Sequence, residues 1–271
     1  MGKAIVINGL NVTNPLTTVT LFNTPAEAEL NAYFKKIGNN ITSTEKTALI
    51  VFVNELIDKG VWSKFKYFYP LLGGSVSDMI LDAVESSTED LFTTSGTTGL
   101  SVKDRLLVAA ERPQQDILVG SRAAQLNTSK LSMICSGFVN EQIGGGQLTC
   151  LRGTDNNLCE FILSSGTSVY RNMGWSGVNS DSDYSQLTSR ICCGITNNAT
   201  GYIYLNDELL NSGTPNIPSD VKYTYGFLSN YRPAGYNFTF TAIGEDITPS
   251  DWTTKIYPAL LTFLRAVGKH E

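Results

Sequence analysis

A single histidine, His270, stands next to the last residue of the 271-residue chain. Ser-His-Asp or Cys-His catalysis needs an imidazole held in a formed pocket, and a fraying terminus is a poor place for one. Histidine-based metal sites fail for the same reason. Paired carboxylates remain, because glycoside hydrolysis needs two of them roughly 5–10 Å apart. The candidates are Asp181 with Asp183 and Glu245 with Asp246. The first pair lies in the Ser/Gly/Asn-rich stretch 176–185 and reads as solvated turn residues. An oxygen-rich loop there suits calcium, but no ligand spacing supports it. The second pair precedes Thr248, where acids favour a helix N-terminus electrostatically. Five cysteines, Cys135, Cys150, Cys159, Cys192 and Cys193, form no C-x-x-C pair, and their count is odd. They read as buried free thiols on strands rather than as a disulfide framework or a zinc site. Gly144–Gly146 and Gly96–Gly99 are not followed by G-K-[ST], so neither is a phosphate loop. The expectation is a non-enzymatic chain with no catalytic, cofactor-binding or metal-ligating residues.

One surface for recognition is legible. Tyr223, Tyr225 and Tyr231 cluster near Arg232, and with Trp175 they offer rings that could stack on a sugar or contact a protein. Exposed rings give large contact area at low entropy cost. Core packing is the competing role for the same residues.

The bulk numbers bound the partners. A hydrophobic fraction of 42% with 17% charged residues suits a globular protein with a substantial core. Net charge is −5, so a sequence-independent grip on nucleic acid or on an anionic membrane is not expected. The apolar run Ala4–Ile7 stops at Asn8-Gly9, too short for a signal-peptide core, and no stretch approaches a membrane span. Synthesis and assembly in the cytoplasm are therefore expected.

Three regions must position whatever the chain presents. Residues 1–22 read as a β arm with strands at Lys3–Ile7 and Thr18–Phe22, which cannot bury their apolar side chains alone. Residues 23–84 read as a helical collar. Thr24-Pro25-Ala26-Glu27 is a capping box with proline at the first helical position, and Leu30, Tyr33, Phe34 and Ile37 follow at helical spacing. Thr42 and Glu45 form a second capping box, ahead of a stripe of Leu49, Phe52, Val53 and Leu56. Val61–Phe65 reads as one more helical turn. Residues 85–271 are β-rich, with strands expected at Leu131–Val139, Gln147–Leu151, Leu158–Leu163, Gln186–Ile195, Gly201–Leu205 and Tyr236–Ile243. Short strands with frequent turns argue for a sandwich. A helix beginning at Thr248-Pro249 closes the chain, and Pro258 predicts a kink or break near Thr254.

Two stretches of wording carry a resemblance. Thr44-Glu45-Lys46-Thr47-Ala48, then Gly60-Val61-Trp62-Ser63-Lys64, then Tyr69-Pro70-Leu71-Leu72-Gly73-Gly74 resembles a helical module of tailed-bacteriophage structural proteins, including those of crAss-like phages. Phe240–Thr248, with Ala266-Val267-Gly268 after it, is similar to the end of laminin-G-like (concanavalin-A-like) domains in the same proteins. The resemblance implies a mainly β chain with a jelly-roll sandwich, preceded by the β arm and helical module and closed by a C-terminal helix. It supplies no fixed set of functional residues.

The reading is then a virion structural protein, a head-fibre, decoration or fibre-like subunit on the particle surface. It attaches to other virion proteins of capsid or tail through Ile5, Val6, Ile7, Val19 and Leu21 and displays its sandwich outward. A symmetric homo-oligomer is expected, a trimer being the usual closure for fibre subunits. The alternatives are a tail-fibre module that binds host surface glycan, and a polysaccharide depolymerase.

Overall fold

The computed structural model describes residues 6–7, 10–11, 24–84, 100–109, 127–139, 146–152, 158–163, 170–172, 179–181, 190–214, 225–226 and 236–270. The arm contributes β1 (Val6–Ile7) and β2 (Leu10–Asn11), paired antiparallel with Ile7 opposite Leu10. The expected second arm strand, Thr18–Phe22, lies outside the described residues, as do Ile5, Val19 and Leu21.

The capping boxes form as written. Thr24 caps α1 (Pro25–Glu29), which runs through Leu30 into α2 (Asn31–Ile37), and Thr42 caps α3 (Ser43–Asp58). A third box not anticipated from sequence, Ser75 with Asp78, caps α4 (Val76–Met79). The expected helical turn at Val61–Phe65 is a 3-10 turn only over Trp62–Lys64, and the chain then extends into β3 (Phe65–Tyr69). The physical reason is burial on both sides. Phe65, Tyr67, Phe68 and Tyr69 are all buried and only Lys66 is exposed, so β3 alternates only over its first three residues and lacks the sustained period of a half-exposed strand.

The remaining strands are β4 (Leu100–Lys103), β5 (Leu106–Ala109), β6 (Leu131–Val139), β7 (Gly146–Arg152), β8 (Leu158–Leu163), β9 (Tyr170–Asn172), β10 (Asn179–Asp181), β11 (Arg190–Asn197), β12 (Thr200–Leu205), β13 (Glu208–Gly213), β14 (Tyr225–Gly226) and β15 (Tyr236–Glu245). Eight strands make one antiparallel sheet in the order β13-β12-β11-β6-β15-β5-β4, with β3 sharing the outer edge of β15 with β5. A three-stranded sheet, β14-β7-β8, and the β9–β10 pair complete the β structure among the described residues. This is a jelly-roll-like β-sandwich, as expected.

Register shows that the large sheet is a middle layer. One row across it runs Tyr204, Cys193, Ile134, Ala242, Phe68, and the next runs Leu205, Cys192, Cys135, Thr241, Tyr69. Adjacent rows point to opposite faces, and all ten residues are buried. The first row meets the helices. Phe52 of α3 stacks on Phe263 with centroids 5.0 Å apart, and Phe68 meets Phe240 edge-on at 5.0 Å. Helices and sheet therefore share one core, in which such aromatic pairs add ~0.5–1.5 kcal/mol each beyond their buried area.

The C-terminal helix breaks where Pro258 requires. α5 (Pro249–Asp251) leads into a π turn over Trp252–Ile256, and α6 (Tyr257–Ala266) resumes with Pro258 in its first turn. The proline ring would collide with the Thr254 carbonyl in a regular helix, and the wider π turn relieves that contact. Thr253 and Thr254 hydroxyls donate to the carbonyls of Pro249 and Ser250 at 3.1 and 2.7 Å.

Candidate functional site

The described residues gather their buried charge at two junctions between the helices and the sheet. At the first, Lys64 Nζ lies 2.6 Å from Asp251 Oδ2 and donates to the Asp246 carbonyl at 2.8 Å. Asp251 is already the capping-box acid for Thr248, and Lys255 reaches its other oxygen at 2.7 Å. Burial opposes ionisation of Asp251, but the hydrogen bonds from Lys255, Lys64 and Thr248 outweigh it and hold its pKa far below the ordinary carboxylate value. Gly244 is closely packed here: a Cβ on it would lie 2.5 Å from Ile247 Cδ1 and 3.1 Å from the Lys64 carbonyl oxygen.

At the second junction Glu45 caps α3 and also receives Arg105, whose Nε donates to Oε1 at 2.9 Å while Nη2 donates to Oε2. Nη2 reaches the Asn40 carbonyl as well, at 3.1 Å, and Asn40 donates to Asp78 at 3.0 Å. Arg105 is delivered by the two-residue turn between β4 and β5, where Asp104 and Arg105 both adopt positive φ, at 51° and 60°. Lys269, following α6, is buried here and donates to the Leu71 carbonyl. Burial opposes charge on Glu45 and Asp78, yet hydrogen bonds from Arg105 and Thr42, and from Ser75 and Asn40, hold both pKa values below the ordinary range. Burial pushes Lys269 down to about 7, with Glu45 opposing and Arg105 reinforcing that shift. The Tyr33 phenol is pushed up by burial and by the nearby Glu45 and Asp78 charges.

What these groups do chemically is hold elements together. Glu45, Asp78 and Asp251 each cap a helix while gripping a side chain from elsewhere, and Asp82 accepts the amides of Phe68 and Val84 at 2.9 and 3.0 Å. A carboxylate so occupied is a poor proton shuttle. Among the described residues no group of three or more His, Cys, Asp or Glu is placed to hold a metal ion, and no helix is long and apolar enough to cross a membrane. A surface groove of about 470 Å³ lies between α3 and α6, with Phe52 and Phe263 in its lining and Thr44, Thr47, Thr262 and Glu55 around them.

Only some of the residues singled out from sequence fall among the described ones. Val6 and Ile7 form β1, and Tyr225 lies on β14 opposite Leu151 of β7. Trp175, Tyr223, Tyr231, Arg232 and Asp183 fall outside the described residues, and Asp181 ends β10. Glu245 accepts from the Asn127 amide at 2.6 Å and lies 3.5 Å from Lys66, while Asp246 pairs with Lys130 at 2.7 Å. Arg105 and Lys269 were not visible from sequence as junction residues. The one available signal was a lysine placed just beyond an amphipathic helix, next to a C-capping Gly268.

No family model and no curated protein matches the sequence. Solved structures do share the fold. A Trypanosoma rangeli sialidase in complex with sialic acid superposes at TM-score 0.52 and 10% identity, over 74% of this chain and 34% of the sialidase. The same sialidase in complex with 2,3-difluoro-KDN gives 0.50 and 11%, over 74% and 33%. The CBM40 of the Ruminococcus gnavus IT-sialidase superposes at 0.41 and 12% identity, over 55% of this chain and 94% of that one. The chain spans about a third of the length of the Trypanosoma rangeli sialidase.

Proposed function

We propose that the chain is a non-catalytic structural protein of a tailed-phage virion, a head-fibre, decoration or fibre-like subunit. In this reading it attaches through its N-terminal region and displays the sandwich outward from the particle surface. The observation that carries the structural role is the use of the buried acids. Glu45, Asp78, Asp82 and Asp251 are all spent on backbone amides and cross-element ties. The wording that resembles phage proteins supports the virion assignment, and it includes residues at both junctions. Glu45 lies in the first stretch, Lys64 in the second, Leu71 and Gly73 in the third, and Gly244 and Asp246 in the C-terminal one. Mass spectrometry of purified particles from the phage that encodes the chain tests the role. The chain should be present in many copies per particle, and its absence from particles would remove the assignment.

A second reading, recognition of host surface glycan, is favoured by the shared fold of a sialidase solved with sialic acid. The tyrosines around Arg232 and Trp175 are the proposed contact residues. A glycan array probed with the full chain separates the two readings, since uniformly null binding leaves only the structural role.

A further inference from the structure

Cys135 of β6 and Cys192 of β11 stand directly opposite one another in antiparallel register. Opposed residues share a face of the sheet and have Cβ atoms ~4.5–5.5 Å apart, close to the ~3.5–4.5 Å that a disulfide requires. Both thiols are buried, and each side chain is close enough to bear on the other's ionisation. The other cysteines are placed differently. Cys193 belongs to the next row, facing the helices with Ile134 and Tyr204 as register partners. Cys150 is opposite Glu160, and Cys159 is opposite Leu151, so that pair is offset by one position.

We infer that Cys135 and Cys192 form a latent cross-strand disulfide, made when the sheet assembles in the presence of a disulfide oxidant. The Cys192 thiolate attacks one sulfur of glutathione disulfide, giving a mixed disulfide and one glutathione thiolate. The Cys135 thiolate then attacks the Cys192 sulfur, forming the protein S–S bond and releasing the second glutathione. Two electrons pass from the cysteines to the oxidant, and the two thiol protons go to solvent. Once the sheet has closed around them, burial disfavours the Cys135 thiolate and excludes the oxidant, so each redox state is trapped as folded. The bond would tie β6 to β11 across the loop from 135 to 192 and raise the folding equilibrium constant by roughly a thousandfold in the loop-entropy account.

The test is to unfold the reduced full chain, refold it in a glutathione redox buffer, quench exchange with acid, then unfold it, block every remaining thiol with iodoacetamide in denaturant and map the linked peptides. A Cys135–Cys192 peptide is expected as the main product, with Cys150, Cys159 and Cys193 alkylated. Cys193→Ser should leave the product unchanged and Cys192→Ser should abolish it. Alkylation of both Cys135 and Cys192 in the refolded wild type, or a dominant bond elsewhere, overturns the inference without reference to either cysteine variant.

Discussion

Lys64 Nζ and Asp251 Oδ2, 187 residues apart in sequence, meet at 2.6 Å where the helical segment enters the sheet. The same lysine holds the Asp246 carbonyl, so one side chain fixes both the end of β15 and the start of the C-terminal helix. Asp251 is mostly buried and Lys64 is a quarter exposed, which places the pair between a screened surface contact and a fully desolvated one.

That position sets the size of the expected effect. Lys64→Met should cost ~1–2 kcal/mol in urea unfolding, as a charged hydrogen bond to a largely buried acid is lost. Asp251→Asn should cost more, because the Thr248 cap and the Lys255 contact weaken together. The two changes should be non-additive when combined, with a coupling of ~1 kcal/mol. Full additivity would mean that the pair does not act as a tie.

The two adjacent glycines of the Leu72-Gly73-Gly74 turn should behave oppositely. Gly73 has φ +110°, and a Cβ on it would lie 2.4 Å from Asp78 Cβ, whereas Gly74 has nothing within 4 Å. Gly73→Ala should therefore destabilise by ~3 kcal/mol or more, through overpacking and backbone strain together. Gly74→Ala should stay within ~0.5–1 kcal/mol of the wild type. Thermal melts of the two variants side by side check the contrast.

Much of the sheet and the helix ends was legible in the residues. Leu131–Val139 and Leu158–Leu163 match the expected strands end to end, and the break near Thr254 follows from Pro258 alone. What escaped did so for physical reasons. Phe65–Tyr69 buries every residue but Lys66, so sustained period-2 alternation cannot reveal it. The β4–β5 hairpin turns on Asp104-Arg105 rather than on the Asn-Gly that usually marks such a turn. The junction was least readable, because its partners are remote in sequence. Arg105 finds Glu45 across 60 positions and Lys269 finds Leu71 across 198, and no local pattern records either meeting.

The junction charges also fix the pH dependence. Glu45, Asp78 and Asp251 have folded pKa values below their unfolded ones, so the unfolded chain takes up protons first as pH falls. Their contribution is complete above the ordinary carboxylate range and is lost progressively as pH falls from there down through the lowered folded values. Lys269 adds a second window, with its pKa lowered from 10.5 to about 7 in the folded protein. Between those values the unfolded chain holds a proton that the folded chain has released. Stability from this group therefore rises with pH across the window and is flat below it. The urea midpoint of the wild type relative to that of Lys269→Met should climb through that window, whatever the other titrating groups contribute to both. A difference that does not change with pH would show that Lys269 keeps its proton throughout.

The most direct test of the proposed role compares the full chain with a chain beginning at residue 23, in unfolding and in particle assembly. Among the described residues, the helices, sheet and C-terminal helix share one core. The shortened chain should keep the wild-type unfolding midpoint and yet be missing from assembled particles. Incorporation at the level of the full chain would contradict attachment through the N-terminal region.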